Sequence, residues 1–146
     1  MALLGQFIDG RHVAGRGPGV DVVNPADGSL VATLSEATAE DVDAAVAAAR
    51  RAFPGWAGAT PGERSAALMA MADRMEARAQ EYSQVESAQS GKPIKLASEF
   101  DVPGSIDNVR FFAGAARILT GMASAEYDGL HTSTVRREPI GVVGSI

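Results

Sequence analysis

The sequence contains no cysteine. That absence excludes a disulfide framework, a thiolate-bound metal and any thiol nucleophile within the chain. Histidine is nearly as scarce: His12 and His131 are the two present, far apart and with no partner at metal-ligand spacing, so they read as surface residues. Basic charge is in deficit, with 13 Lys and Arg against 18 Asp and Glu for a net charge of -5. Nothing electrostatic therefore draws the chain to nucleic acid or to an anionic membrane. No apolar run approaches the about 18 residues of a membrane span, and the opening MALLGQFIDGRHV lacks the charged segment and apolar length of a secretory leader. The expectation from these deficits is a cytoplasmic protein with no membrane partner.

What is present is ordinary globular material: 146 residues, 46% hydrophobic and 21% charged, enough for about one domain. Asp9 and Gly10 stand between two short apolar-bearing runs, which predicts a two-residue hairpin turn over residues 6–13. VDVVNPADGSLVATL places Asn24, Pro25, Asp27 and Gly28 between β-branched runs, predicting a second strand pair. From Thr38 the period becomes helical, with Val42, Ala45, Val46, Ala49 and Phe53 on one stripe, Thr38 and Asp41 in capping-box positions and Pro54 as a stop. Thr60, Pro61 and Glu63 open a second helix whose stripe of Leu68, Met71, Met75, Ala79 and Tyr82 runs to SGKP. A third stripe, Val102, Ile106, Val109, Ala113 and Ala116, is interrupted early by Pro103 and Gly104 and ends at Gly121. Finally TSTVRRE alternates as a half-exposed strand, Pro139 breaks it, and GVVGSI reads as a strand covered on both faces. A parallel strand of that kind needs neighbours that nothing downstream in these residues supplies.

Several motifs fail as chemistry. Gly15, Gly17 and Gly19 precede no helix that could aim its N-terminus at a phosphate, so they read as a flexible turn. SGKP holds the Gly91-Lys92 pair of a phosphate loop without its first glycine or its Ser/Thr, and reads as a helix stop. Gly-x-x-Gly-x-Ile at the C-terminal end fits the end of a nucleotide-binding strand, and on its own fits an ordinary buried strand better.

Taken in order, the pieces resemble the N-terminal part of the aldehyde dehydrogenase superfamily across essentially all of the chain. The stretches that carry the likeness are FIDGRHV, VVNPADGSLVATLSEATAEDVDAAVAAARRAFPGW, ERSAALMAMADRMEARAQEYSQVES, SGKP, RFFAGAAR and VRREPIGVVGSI. RFFAGAAR and EYDGLHTSTVRREPIGVVGSI are most similar to γ-aminobutyraldehyde (1-pyrroline) dehydrogenases, with betaine aldehyde dehydrogenases next. The resemblance implies an α/β fold: β-hairpins, three helices, an arm strand and the first strand of a Rossmann-like NAD domain. It divides the chain into residues 1–126, the N-terminal part of the NAD-binding domain, 127–138, the start of an oligomerisation arm, and 139–146, the first Rossmann-like strand, cut short.

The chemistry the resemblance implies is oxidation of an aldehyde to the acid. A cysteine thiolate attacks, a hydride passes to NAD (NADP is not excluded), and a glutamate-activated water releases the acid. These residues hold no such cysteine, so no catalytic residue is assigned, and the segment alone is expected to be inactive. In the family an oxyanion-holding asparagine sits in Pro-Trp-Asn just past the position of Ile146. Ser145 and Ile146 match the strand end that borders the dinucleotide. Val22 and Val23 match backbone carbonyls of a monovalent cation site, where Gln89 replaces the family's carboxylate and offers a weaker oxygen. Asp101 opens the third helix, and in aminoaldehyde-oxidising relatives acids in this neighbourhood stand near the substrate-tunnel mouth, where a carboxylate can pair with the ammonium of an ω-aminoaldehyde such as 4-aminobutanal; on its own, an acid in a first helical turn fits the helix dipole better. The partners implied are a small aldehyde and further copies of the same chain in a homo-oligomer. The rival expectation is a non-catalytic assembly module that pairs with a full-length relative.

Overall fold

The computed structural model describes residues 5–121 and 124–145. Asp9 and Gly10 take φ of 56° and 76°, both positive as a tight hairpin turn requires. They join β1 (Gln6–Ile8) to β2 (Arg11–Val13) in an antiparallel pair with Phe7 opposite His12. A second pair, β3 (Gly19–Val23) and β4 (Leu30–Ser35), closes through a connection in which Asn24 Oδ1 accepts from the Ala26 N–H at 2.9 Å and Asp27 Oδ1 from the Ser29 N–H at 2.9 Å. A register shift between Val22 and Val23 bulges β3. The glycines at 15 and 17 are not the flexible turn the sequence suggests. A Cβ at Gly15 would sit 2.2 Å from Ser35 Oγ, so the absence of a side chain lets this loop lie directly on the end of β4.

Helix α1 (Ala39–Gly58) starts on the expected capping box, the Thr38 hydroxyl accepting from the Asp41 N–H while the Asp41 carboxylate accepts from the Thr38 N–H. It does not stop at Pro54. The proline lies on the exposed flank with Arg50 and Arg51, so the one backbone bond it forfeits is left to water and the helix continues. The long second helix expected from the stripe is two helices. α2 (Pro61–Ala77) and α3 (Ala79–Ser90) meet at Arg78, whose φ of -117° and ψ of 18° break the spiral. Its guanidinium pairs with Glu81 at 2.6 Å and stacks 5.2 Å over the Tyr82 ring, fixing the corner.

Beyond α3 the chain enters a short α4 (Ile94–Leu96), a π-helical turn over Ala97–Asp101, and α5 (Val102–Ala115) as one continuous helical run. Pro103 and Gly104 therefore do not interrupt the helix. The wider turn comes just before the proline, which has no N–H to give to a preceding carbonyl, and the Val102 N–H bonds the Ala97 carbonyl instead. α5 ends at Ala115, short of Gly121. α2 and α5 pack most extensively, with Ala72, Val102 and Ile106 buried between them and Met75, Ala79, Tyr82 and Val109 against that centre.

The C-terminal strands expected from the pattern are largely absent. β6 is Thr132–Ser133, paired with β5 (Ala125–Glu126), where residues 132–138 were expected; residues 141–145 form no ladder. A strand exists through its neighbours, and among the described residues none pairs here. Instead Ile140, Gly141, Val142 and Gly144 line an open recess of about 390 Å³ with Val46, Arg50 and Phe53 of α1. No helix among the described residues is long and apolar enough to cross a membrane.

Candidate functional site

Gly91 ends α3 in the left-handed region at φ 70°, which turns the chain back over the helix it has just left. Three bonds hold the reversal: the Gly91 N–H to the Ser87 carbonyl, the Ser87 hydroxyl to the Lys92 carbonyl at 2.6 Å, and the Lys92 N–H to Ser90 Oγ at 3.3 Å. The backbone of Lys92 is thereby fixed, and its side chain reaches across to the π-helical turn. There Lys92 Nζ lies 2.6 Å from Asp101 Oδ2 and 3.6 Å from Glu86 Oε1.

These three charges stand in a cleft of about 390 Å³ between α3 and the start of α5. Met75, Tyr82 and Val85 supply an apolar wall, while Gln89 and Ser105 add neutral polar groups. A partly apolar recess with a few convergent polar groups is the usual form of a small-molecule site. The Asp101 carboxylate bonded to it holds the Lys92 ammonium above the usual lysine range, partial burial opposing and Glu86 adding to the effect. One cation between two carboxylates leaves the cleft with a net negative charge.

Of the residues assigned from the sequence, Asp101 and Gln89 come together in this cleft. Asp101 does not open an isolated helix; it closes the π-helical turn inside a continuous helical run, and its partner is Lys92 rather than free backbone N–H groups. Gln89 is exposed, its Nε2 donating to Glu86 Oε2 at 3.3 Å. Val22 and Val23 lie on the bulged strand β3, which α3 contacts, and Gly91 stands against the Pro25 ring in the connection just beyond. Among the described residues no three His, Asp or Glu cluster as metal ligands. Ser145 is exposed, just past the residues that line the recess beside α1, and Ile146 lies outside the described residues. Lys92 and Glu86 were missed in the sequence. Glu86 is separated from Asp101 by the chain reversal at Gly91, and Lys92 sits in the turn itself, so no helical spacing connects them to Asp101.

Hairpins, a capped α1 and an α2–α5 pair make a mixed α/β fold. Residues 12–146 match the aldehyde dehydrogenase family, and the chain belongs to it. Over its whole length it is 35% identical to the 2-aminomuconic semialdehyde dehydrogenase of Homo sapiens, of which it covers 30%. The fold superimposes on PnpE from Pseudomonas sp. WBC-3 with a TM-score of 0.82 at 40% identity, over 88% of this chain and 26% of that one. PnpE has also been crystallised with nicotinamide adenine dinucleotide, a structure matched at a TM-score of 0.80 and 41% identity over 87% of this chain and 26% of that one. The γ-glutamyl-γ-aminobutyraldehyde dehydrogenase of Burkholderia cenocepacia J2315 matches at a TM-score of 0.80 and 39% identity, over 88% of this chain and 27% of that one. The chain spans under a third of the length of the curated relatives it matches.

Proposed function

We propose that these residues are the N-terminal segment of an NAD-dependent aldehyde dehydrogenase that oxidises an ω-aminoaldehyde, such as 4-aminobutanal, to the acid. What carries the reading is the fold likeness to the NAD complex of PnpE at 41% identity, which covers 87% of this chain. The domain division follows: 1–126 as part of the NAD-binding domain, 127–138 as the start of an oligomerisation arm, and 139–146 as a strand completed by neighbours from elsewhere.

NAD, when bound, accepts the hydride from the aldehyde carbon. Ser145 and Ile146 border it through the strand end. The described residues do not themselves enclose a dinucleotide groove, so the remainder of that site comes from outside them. The segment brings no thiol to attack the carbonyl; its contribution is recognition. Asp101, on the rim of the cleft, faces the ammonium end of the substrate, and Met75, Tyr82 and Val85 pack against its methylenes. Val22, Val23 and Gln89 remain the candidate ligands of a monovalent cation, a set of neutral oxygens that binds weakly. The finer substrate reading rests on the C-terminal motifs of the sequence and on a negatively charged cleft.

The test is NADH formation by the full-length protein carrying this segment, with 4-aminobutanal and NAD+, beside the 146-residue chain alone. Activity in the first and none in the second is expected. Turnover by the isolated chain would overturn the division of labour, and an inactive full-length protein would favour the assembly-module reading. The extensive exposed apolar surface supports that second reading equally, since either role requires a partner surface.

A further inference from the structure

We propose that Lys92 is a movable counter-ion: it holds Asp101 while the cleft is empty and withdraws to Glu86 when the ammonium end of a substrate enters and takes its place on Asp101. The inference rests on the reading that this cleft lies on the substrate's path. Its grounds are geometric. Lys92 Nζ is 2.6 Å from Asp101 and only an ångström further from Glu86, so a small rotation of a flexible four-carbon stem exchanges one carboxylate for the other. The backbone beneath it is pinned by Ser87 and Ser90, so the exchange requires no movement of the chain. All three side chains are partly open, 35% for Lys92, 40% for Asp101 and 34% for Glu86, and pairs at such positions are weak enough to be traded. Lys92 is the only cation on the cleft lining, facing the two carboxylates, so the cleft has room in its charge balance for one further cation.

In this arrangement Asp101 touches the substrate, whereas Lys92 and Glu86 are positioning residues that set how available Asp101 is. Glu86 is the refuge that releases it. Two variants of opposite sign follow. Glu86→Gln strands Lys92 on Asp101 and raises the ratio of KM for 4-aminobutanal to KM for butanal by about threefold to fivefold. Lys92→Gln frees Asp101 and lowers the same ratio by a similar factor. In an Asp101→Asn background neither substitution moves the ratio, because Asp101 is the group through which both act.

The experiment is steady-state kinetics of the full-length enzyme with both aldehydes, circular dichroism confirming the helix content of each variant. Ratios that shift in the same direction for Glu86→Gln and Lys92→Gln, or that still shift in the Asp101→Asn background, overturn the counter-ion. If Asp101→Asn alone leaves the ratio unchanged, the substrate-path reading itself fails. If it alters the ratio while Glu86→Gln and Lys92→Gln do not, that reading stands and the counter-ion is wrong.

Discussion

Arg16 grips Asp41 from two directions: its backbone N–H donates to Asp41 Oδ2 at 3.2 Å, and its guanidinium Nε lies 3.3 Å from Oδ1. The same carboxylate caps α1 through the Thr38 N–H at 3.0 Å, and Asp41 is only 2% exposed. One buried acid thus ties the loop after β2 to the start of α1. The Thr38 N–H is the main cause holding Asp41 below the usual aspartate range; burial opposes it, and the Arg16 N–H, the Thr38 hydroxyl and the Arg16 charge assist. A carboxylate depressed by folding contributes stability that is present above its unfolded pKa, about 3.9, and lost as pH falls through the folded value. Denaturant midpoints should therefore fall below about pH 4. Asp41→Asn should lower the midpoint at neutral pH and flatten the acid limb. The other carboxylates held low, among them Glu63, Glu76 and Glu81, are exposed and more strongly screened. An acid limb unaltered in Asp41→Asn would assign the effect to them.

Gly91 is the hinge on which the cleft depends. Its φ of 70° suits no ordinary side chain, and an added Cβ would meet the Pro25 ring at 3.2 Å. Gly91→Ala should cost about 1–2 kcal/mol for the left-handed backbone alone. Gly91→Asn should cost less of that backbone term, since asparagine tolerates the conformation. Urea unfolding of both variants checks the order; equal stability of Gly91→Ala and the parent would show that the turn relaxes.

The elements legible in the sequence are those whose signals are local. The Asp9–Gly10 turn, both capping boxes and the Gly91 stop each lie within a few residues of what they control, and all appear in the structure. The break at Arg78 carries no glycine or proline; it is made by an ion pair with Glu81 and stacking on Tyr82, contacts that no period reveals. Pro54 and Pro103 misled in opposite ways, one tolerated on an exposed flank and the other accommodated by the π-helical turn. Residues 141–145 have the composition of a strand but lack the partners that would make them one. For the cleft, Asp101 is singled out in the sequence through the family resemblance alone, whereas its pairing with Lys92 and the nearness of Glu86 emerge only from the fold.

The α2–α5 seam is small, so it should be sensitive. Ile106 is buried there beside Ala72 and Val102, with Met75 and Val109 around them. Ile106→Ala should cost about 2–5 kcal/mol and Ile106→Val about 0.5–1.5 kcal/mol, the difference reflecting the cavity that neighbouring alanines cannot fill. Thermal or urea unfolding followed by helical circular dichroism measures both. A cost for Ile106→Ala no larger than that for Ile106→Val would mean the seam closes over the gap.

The isolated chain should self-associate. Its accessible surface is 10917 Å², against about 7,100 Å² for a compact monomer of this size. Large apolar side chains contribute to it: Ile140 is 94% exposed, Leu130 92%, and Phe111, Phe112, Ile118 and Leu119 are all exposed on and just beyond α5. Short unpaired edges at β5–β6 and along residues 134–145 add backbone groups that another chain can satisfy. Exposed apolar patches of this kind mark interaction surfaces, and both proposed readings supply an occupant for them. Size-exclusion chromatography at micromolar concentration should show assemblies larger than a monomer that grow with concentration. Co-expression with the C-terminal remainder of a family member should shift the chain into a discrete complex, since on the proposed domain division that remainder supplies the partners of residues 139–146. A stable monomer at all concentrations, indifferent to co-expression, would mean that the exposed apolar surface is not an interface, and would remove the physical support for the assembly-module reading.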